Sequence, residues 1–182
     1  SKKLKGAEIK FDGITVTGTE NIMMAATLAE GKTTLTNVAK EPEIIDLANM
    51  LNSMGAKIDG AGSDRITIEG VDNLTGTNFE IPADRIEAGT YLAAAAVTKG
   101  DITIEGINPN RLMKVIDKLK DAGAEIEYQN NAISICMNKD VPNPVDITTA
   151  PFPEFPTDMQ AQFSVINACL LYTSPSPRDI TP

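Results

Sequence analysis

Apolar positions along this chain follow two periods, and the periods recur as a block. From about Thr17 to Gly70 the order is an apolar helix around Asn21–Ala29, Gly31 and a strand at 32–38. An amphipathic helix at 41–54, the run Gly55-Ala56-Lys57-Ile58 and a strand at 65–68 come next. The same order returns as a helix at 87–97, Gly100, a strand at 101–104, a helix at 110–122, Gly123-Ala124-Glu125-Ile126 and a strand at 132–136. Gly31 and Gly100 stand 69 positions apart and Gly55 and Gly123 stand 68 apart, so the register holds between copies. A third copy opens at Thr157-Asp158-Met159-Gln160-Ala161-Gln162-Phe163.

Each copy carries its own start and stop chemistry. Ile44, Leu47, Leu51 and Met54 in one, and Leu112, Val115, Ile116 and Leu119 in the other, form one buried stripe per helix. Pro42 and Pro109 fall where a first helical turn tolerates proline, and Gly55 and Gly123 where a helix closes in a left-handed cap. Ile66/Ile68 and Ile102/Ile104 alternate as strands with one face on those helices. The first helix of each copy is instead small or apolar all round, which predicts a buried helix. The fold class is therefore α/β, with repeated α/β units: buried helices meeting in a common core, amphipathic helices over mixed sheets, and the sheets toward solvent.

Composition narrows the chemistry. A net charge of −9 and 4% aromatic residues argue against a nucleic-acid surface, which needs basic stripes or stacking rings. Anionic small ligands remain open, because helix N-termini and a few cations can hold them. Histidine is absent, so acid or base steps within this chain fall to Asp, Glu, Lys or Tyr. Cys136 and Cys169 lie in no metal or redox spacing. No apolar run approaches the roughly 20 residues of a membrane span, and the first residues lack a secretory signal's apolar stretch, so the expected location is cytoplasmic, with no membrane partner.

The turn-rich stretch from Gly70 to Asn78 leads to an expected domain boundary near Pro82. Residues 138–156, with Pro142, Pro144, Pro151, Pro153 and Pro156, should be extended and stiff, positioning the segment that opens at Thr157. Residues 169–182 are set apart. Cys169 to Asp179 read like one translated frame of a transposase sequencing adaptor, with 180–182 as index bases, so this tail is expected to be foreign; a genuine proline-rich tail is the alternative.

The segment Phe155-Pro156-Thr157-Asp158-Met159-Gln160-Ala161-Gln162-Phe163 resembles the signature of the UDP-N-acetylglucosamine 1-carboxyvinyltransferases. Leu4-Lys5-Gly6-Ala7, 25–31, Glu41-Pro42-Glu43-Ile44, 55–58 and Pro82-Ala83-Asp84-Arg85-Ile86-Glu87 agree with it in order and spacing. The resemblance covers Leu4 to about Ala168 and implies the enolpyruvyl transferase fold, two domains of three α/β units each, called an inside-out barrel. It implies that 1–82 is the last unit of one domain, and that 83–168 is the first unit and the start of the second unit of the other. The hinge would fall near 82–85.

The same resemblance implies transfer of the enolpyruvyl group of phosphoenolpyruvate to the 3-hydroxyl of UDP-N-acetylglucosamine, with no metal or organic cofactor. Asp158 would be the base at the sugar hydroxyl and Thr157 would contact the sugar; a plain helix cap is the alternative for both. Gly13, Ile14, Thr15 and Val16 align with the loop on the uridine and diphosphate end, or else form a strand end and turn. Gly13 stands where the family often has Lys, and Thr17-Gly18 where it often has Gly-Ala, so only backbone contacts at Thr15 and Val16 carry over. Thr19 is expected to cap the first helix. Glu41, Asp84 and Arg85 would face the cleft or hinge, with capping and ion pairing as alternatives. The family's Cys- and Arg-bearing loop would lie upstream of Ser1 and a further Arg downstream, so the missing parts of the same chain are expected partners and this piece alone is expected to be inactive. Two rivals remain, the related synthase of 5-enolpyruvylshikimate 3-phosphate, whose Gly-Asp-x-Ser-Ser pattern is absent here, and a non-catalytic repeat or binding module.

Overall fold

Local sequence explains most element boundaries in the computed structural model, which describes residues 3–171. Strand β1 (Glu8–Lys10) leads to helix α1 (Val16–Ala26), strand β2 (Lys32–Thr36), helix α2 (Pro42–Ser53) and strands β3 (Lys57–Asp59) and β4 (Arg65–Glu69). Then come helix α3 (Arg85–Thr98), strand β5 (Asp101–Glu105), a 3-10 turn (Pro109–Arg111) and helix α4 (Met113–Asp121). Strands β6 (Glu125–Gln129) and β7 (Ala132–Cys136), a second 3-10 turn (Thr157–Met159) and helix α5 (Gln160–Leu171) complete the order.

The chain divides into two compact units. The first runs to Pro82 and takes in Pro151–Pro153; the second is Ala83–Ala150 with the residues from Glu154 onward. The first unit has a four-stranded sheet in the order β1-β2-β4-β3, with β1 parallel to β2 and the other pairs antiparallel. The second has a three-stranded antiparallel sheet in the order β5-β7-β6. The shared strand order in both, with a helix after the first strand of each, is the repeat in three dimensions.

Each unit has its own core. Met23, Leu35, Ile44, Ile66 and Ile68 are fully buried in the first, and Leu92, Ile116, Leu119, Ile133, Ile135 and Phe163 in the second. Both amphipathic helices end alike. The Ala56 N–H donates to the Leu51 carbonyl and the Ala124 N–H to the Leu119 carbonyl, each at 3.0 Å, with Gly55 at φ 100° and Gly123 at φ 101°. This is the left-handed glycine cap expected at both positions.

The structure revises several local expectations. The first helix begins at Val16, not near Asn21, and Thr15 caps it: its hydroxyl oxygen accepts from the Gly18 N–H at 3.1 Å. Thr19, expected as the cap, is a fully buried interior residue whose hydroxyl donates to the Thr15 carbonyl at 2.7 Å and accepts from the Ala39 N–H at 3.2 Å. The second amphipathic helix is interrupted at Leu112, whose φ of −138° separates the 3-10 turn from α4. Burial of α1 and α3 is also one-sided within each unit, with Met24 and Tyr91 exposed. Of the suspected foreign tail, Cys169 to Leu171 continue α5, and 172–182 lie outside the described residues.

Candidate active site

Three of the sites singled out in the sequence occupy the same place in successive copies, the entry to an apolar helix. At α1 the entry residue is Thr15, and at α3 it is Asp84, whose carboxylate accepts from the Ile86 and Glu87 N–H groups at 2.7 and 3.3 Å. Both side chains are engaged in holding backbone donors that a helix start leaves open. At α5 the arrangement differs. Pro156 stands at the cap position of the 3-10 turn, no side chain caps it, and the Met159 N–H donates to the Pro156 carbonyl at 3.1 Å. Asp158 is exposed, and among the described residues its carboxylate has neither a hydrogen bond nor an ion pair. The capping alternative for Thr157 and Asp158 is therefore not what the side chains do.

The turn that carries Asp158 is fixed on both sides. Before it, Phe155 is buried and meets the Phe163 ring edge to face, with centroids 5.0 Å apart, a geometry that adds to plain burial. The Ala150 N–H donates to the Phe155 carbonyl at 3.0 Å, which closes the proline-rich loop beneath the turn. After it, Met159 is fully buried. Thr157 and Asp158 are thus two exposed residues between two anchored ones. An exposed carboxylate without a protein partner, on a backbone that cannot easily swing, can accept a proton from a hydroxyl brought within reach.

Gly13 and Ile14 are exposed in the first unit, on the link from β1 to α1. A Cβ built on Gly13 meets nothing within 4 Å, so packing does not demand glycine there. Thr15 and Val16 are the cap and first residue of α1. The first unit holds Gly13 to Val16 and the second holds Thr157 and Asp158.

Glu41 precedes Pro42 at the start of α2 without capping it; one carboxylate oxygen accepts from the Phe152 N–H at 3.4 Å, and the other is buried with no hydrogen-bond partner among the described residues. Glu41 and Glu43 lie near Glu20 of α1. Burial of Glu20, with the negative charges of Glu43 and then Glu41, raises its pKa above the ordinary carboxylate value. Sequence spacing gave no sign of this carboxylate group, because Glu20 and Glu41 meet only through the packing of α1 on α2. Arg85, at the start of α3, is buried. Cys136 ends β7, with Sγ 3.3 Å from Asn138 Oδ1.

The second unit also has a hollow of about 340 Å³ lined by Asp146, Thr149, Gln160, Ser164 and Asn167 among others. Asn167 clasps the loop beside it, its amide accepting from the Val145 N–H at 3.1 Å and donating to the Val145 carbonyl at 3.0 Å. Asp158 is not part of its lining. Among the described residues no cluster of His, Cys, Asp or Glu could hold a metal ion, and no helix is long and apolar enough to cross a membrane.

Residues 1–172 match the family described as EPSP synthase (3-phosphoshikimate 1-carboxyvinyltransferase). The chain belongs to that family. Within it, the chain is 55% identical over 168 residues to the UDP-N-acetylglucosamine 1-carboxyvinyltransferase of Hydrogenovibrio crunogenus, covering 92% of this chain and 40% of that protein. It is likewise 55% identical over 166 residues to the enzyme of the same name from Aeromonas hydrophila, covering 91% and 40%. The chain thus spans about 40% of the length of these relatives. Among solved structures, the enolpyruvyl transferase NikO from Streptomyces tendae superposes with a TM-score of 0.80 at 20% identity, covering 92% of this chain and 43% of that one. The EPSP synthase of Acinetobacter baumannii gives 0.60 at 24% identity, covering 92% and 38%. These two likenesses establish the enolpyruvyl transferase fold, which agrees with the repeated α/β units read from the sequence.

Proposed function

We propose that this chain is part of a UDP-N-acetylglucosamine 1-carboxyvinyltransferase, a cytoplasmic enzyme of peptidoglycan precursor synthesis and hence of cell shape and division. The first unit, to Pro82, would be the last α/β unit of one domain. Residues 83–168 would be the first unit and the start of the second unit of the other. In the reaction, the sugar 3-hydroxyl adds to C2 of phosphoenolpyruvate while C3 gains a proton, giving a tetrahedral adduct. Loss of phosphate from C2 and of a proton from C3 then restores the double bond. Asp158 accepts the hydroxyl proton, Thr157 contacts the sugar, and Gly13 to Val16 lie at the uridine diphosphate end, with Thr15 and Val16 offering backbone to it. Glu41, Asp84 and Arg85 keep only supporting roles at helix starts.

The observation that carries this reading is the free carboxylate of Asp158 on an anchored turn, at the helix entry where the other copies use Thr15 and Asp84 for capping. It is supported by 55% identity to relatives bearing that enzyme name. The test is Asp158→Asn in the full-length protein, with phosphate release measured in the presence of both substrates. A general base of this kind contributes about 100- to 10,000-fold, so kcat should fall by that range. Unchanged turnover would remove Asp158 from the chemistry. The family description favours one rival, a synthase acting on shikimate 3-phosphate. Supplying that acceptor in place of the UDP-sugar separates the two, and no turnover with it is expected.

A further inference from the structure

A glycine in the middle of an alanine-rich helix costs about 1 kcal/mol relative to alanine, so Gly89 of α3 calls for a reason. The structure supplies one. A Cβ built on Gly89 would lie 3.0 Å from both Sδ and Cε of Met159, closer than side chains normally pack, with Val115 Cγ1 at 3.5 Å. The thioether of Met159 fills the space that a side chain at position 89 would take, and Met159 is fully buried there. Met159 is the residue after Asp158.

The next residue of α3 makes a second link, to the first turn of the helix that follows Asp158. Gln162 Nε2 donates to Thr90 Oγ1 at 2.8 Å, and the Thr90 hydroxyl donates onward to the Ile86 carbonyl at 2.7 Å. The other amide atom of Gln162, Oε1, is buried with no hydrogen-bond partner, so among the described residues the Thr90 hydroxyl is the amide's one hydrogen-bond partner. Gln162 lies four residues after Asp158, in the first turn of α5. Adjacent residues of α3 therefore hold the segment around Asp158 at two points, Met159 of its turn by shape and Gln162 at the start of α5 by a hydrogen bond.

We propose that Gly89 and Thr90 are positioning residues for the Asp158 carboxylate, acting through Met159 and Gln162. This inference rests on the reading of Asp158 as the base. Neither residue touches substrate in this account; each sets where the carboxylate stands relative to the sugar hydroxyl. A misplacement of about 1 Å can lower turnover by about 100-fold, so sub-ångström shifts should be visible in kcat.

The test uses the full-length transferase carrying this segment, with kcat and both KM values measured for Thr90→Val, Thr90→Ser and Gly89→Ala, each alone and in the Asp158→Asn background. Thr90→Val and Gly89→Ala should each lower kcat by about 10-fold while leaving both KM values within about two-fold, and Thr90→Ser should restore most of the loss. In the Asp158→Asn background neither substitution should lower the residual rate further, because the group they position is gone. Equal fold losses in both backgrounds, or no loss in the parent, would overturn the positioning role while leaving the base intact. An Asp158→Asn enzyme with unchanged turnover would overturn the base assignment and this inference together. Because Thr90→Val adds no bulk, it decides the matter even if Gly89→Ala fails to fold.

Discussion

The two units share one three-stranded plan, β2-β4-β3 in the first and β5-β7-β6 in the second, and differ in what is added to it. The first gains an edge strand, β1, parallel to β2; the second gains α5, packed against α3 in its core. The candidate chemistry sits on the additions. Gly13 to Val16 lie on the link from β1 into α1, and Thr157 and Asp158 lie on the turn into α5. On the first addition Thr15 still holds backbone as the cap of α1, whereas on the second the Asp158 side chain holds none. At the helix entries the same contrast recurs, with Thr15 and Asp84 as caps and Asp158 on a turn whose cap position is Pro156.

The largest test of this comparison is a core truncation in each unit. Phe163→Ala removes a fully buried ring and its contact with Phe155 and should cost about 3–5 kcal/mol. Met23→Ala in the first unit should cost about 2–5 kcal/mol. If the units are separate cores, hydrogen exchange should speed selectively at β5 to β7 in the first variant and at β2 to β4 in the second. Uniform loss of protection in either would show one cooperative core and break the comparison.

Next in size are the two glycine caps. Alanine at Gly55 or Gly123 must take a left-handed conformation, at a cost of about 1–2 kcal/mol read as a lower denaturation midpoint. A Cβ at Gly123 would also meet Lys139 Cδ at 2.8 Å, whereas at Gly55 it meets nothing. Lys139 is flexible, so the two losses should agree closely. A much larger loss at Gly123 would mean that its loop is more rigid than its counterpart.

These caps were legible in the sequence because a glycine after an apolar stripe carries its own physical reason. So were the α2 stripe and the strands around Ile66 and Ile133, where the period alone decides. Less was legible at the helix entries. Thr15 and Thr19 are both plausible caps in isolation, and only the packing of Thr19 under Ala39 settles which one serves. The break at Leu112 is invisible to periodicity, since a 3-10 turn and an α-helix keep Leu112, Val115 and Ile116 on one side over so short a stretch. Asp158 stands out in the sequence through its neighbours' resemblance to a signature; that its carboxylate is free, and that Gly89 and Thr90 hold the segment around it, depends on residues nearly 70 positions away.

A smaller effect separates the units electrostatically. Glu20 is raised by burial, then by Glu43 and Glu41, so ionising it costs the folded state more than the unfolded chain. Below the ordinary value of 4.5 both states are protonated and the penalty is absent; it grows as pH climbs from there through the folded value and then stays. Glu20→Gln should therefore raise Tm at pH 7 and change nothing near pH 4. A gain that persists at pH 4 would trace to packing instead.

The smallest expected effect is at the opposite end of the exposure scale, in the second unit. Asp140 is lowered by its hydrogen bond to Lys99 at 2.9 Å and then by the lysine's charge, which formally stabilises the fold above 3.8 and is lost as pH falls through the lowered value. The pair is open to water, and screening together with the entropy of holding two side chains leaves such pairs with little net effect. Asp140→Asn should leave Tm unchanged at pH 7 in about 0.15 M salt. Lys99 itself has a second task, closing α3 at φ 56°, so Lys99→Gly should stabilise the helix end even though it removes the ion pair. If Asp140→Asn instead lowers Tm measurably, the ion pair rather than the left-handed turn holds the end of α3, and the second unit depends on surface charge where the first has Gly31 at φ 85°.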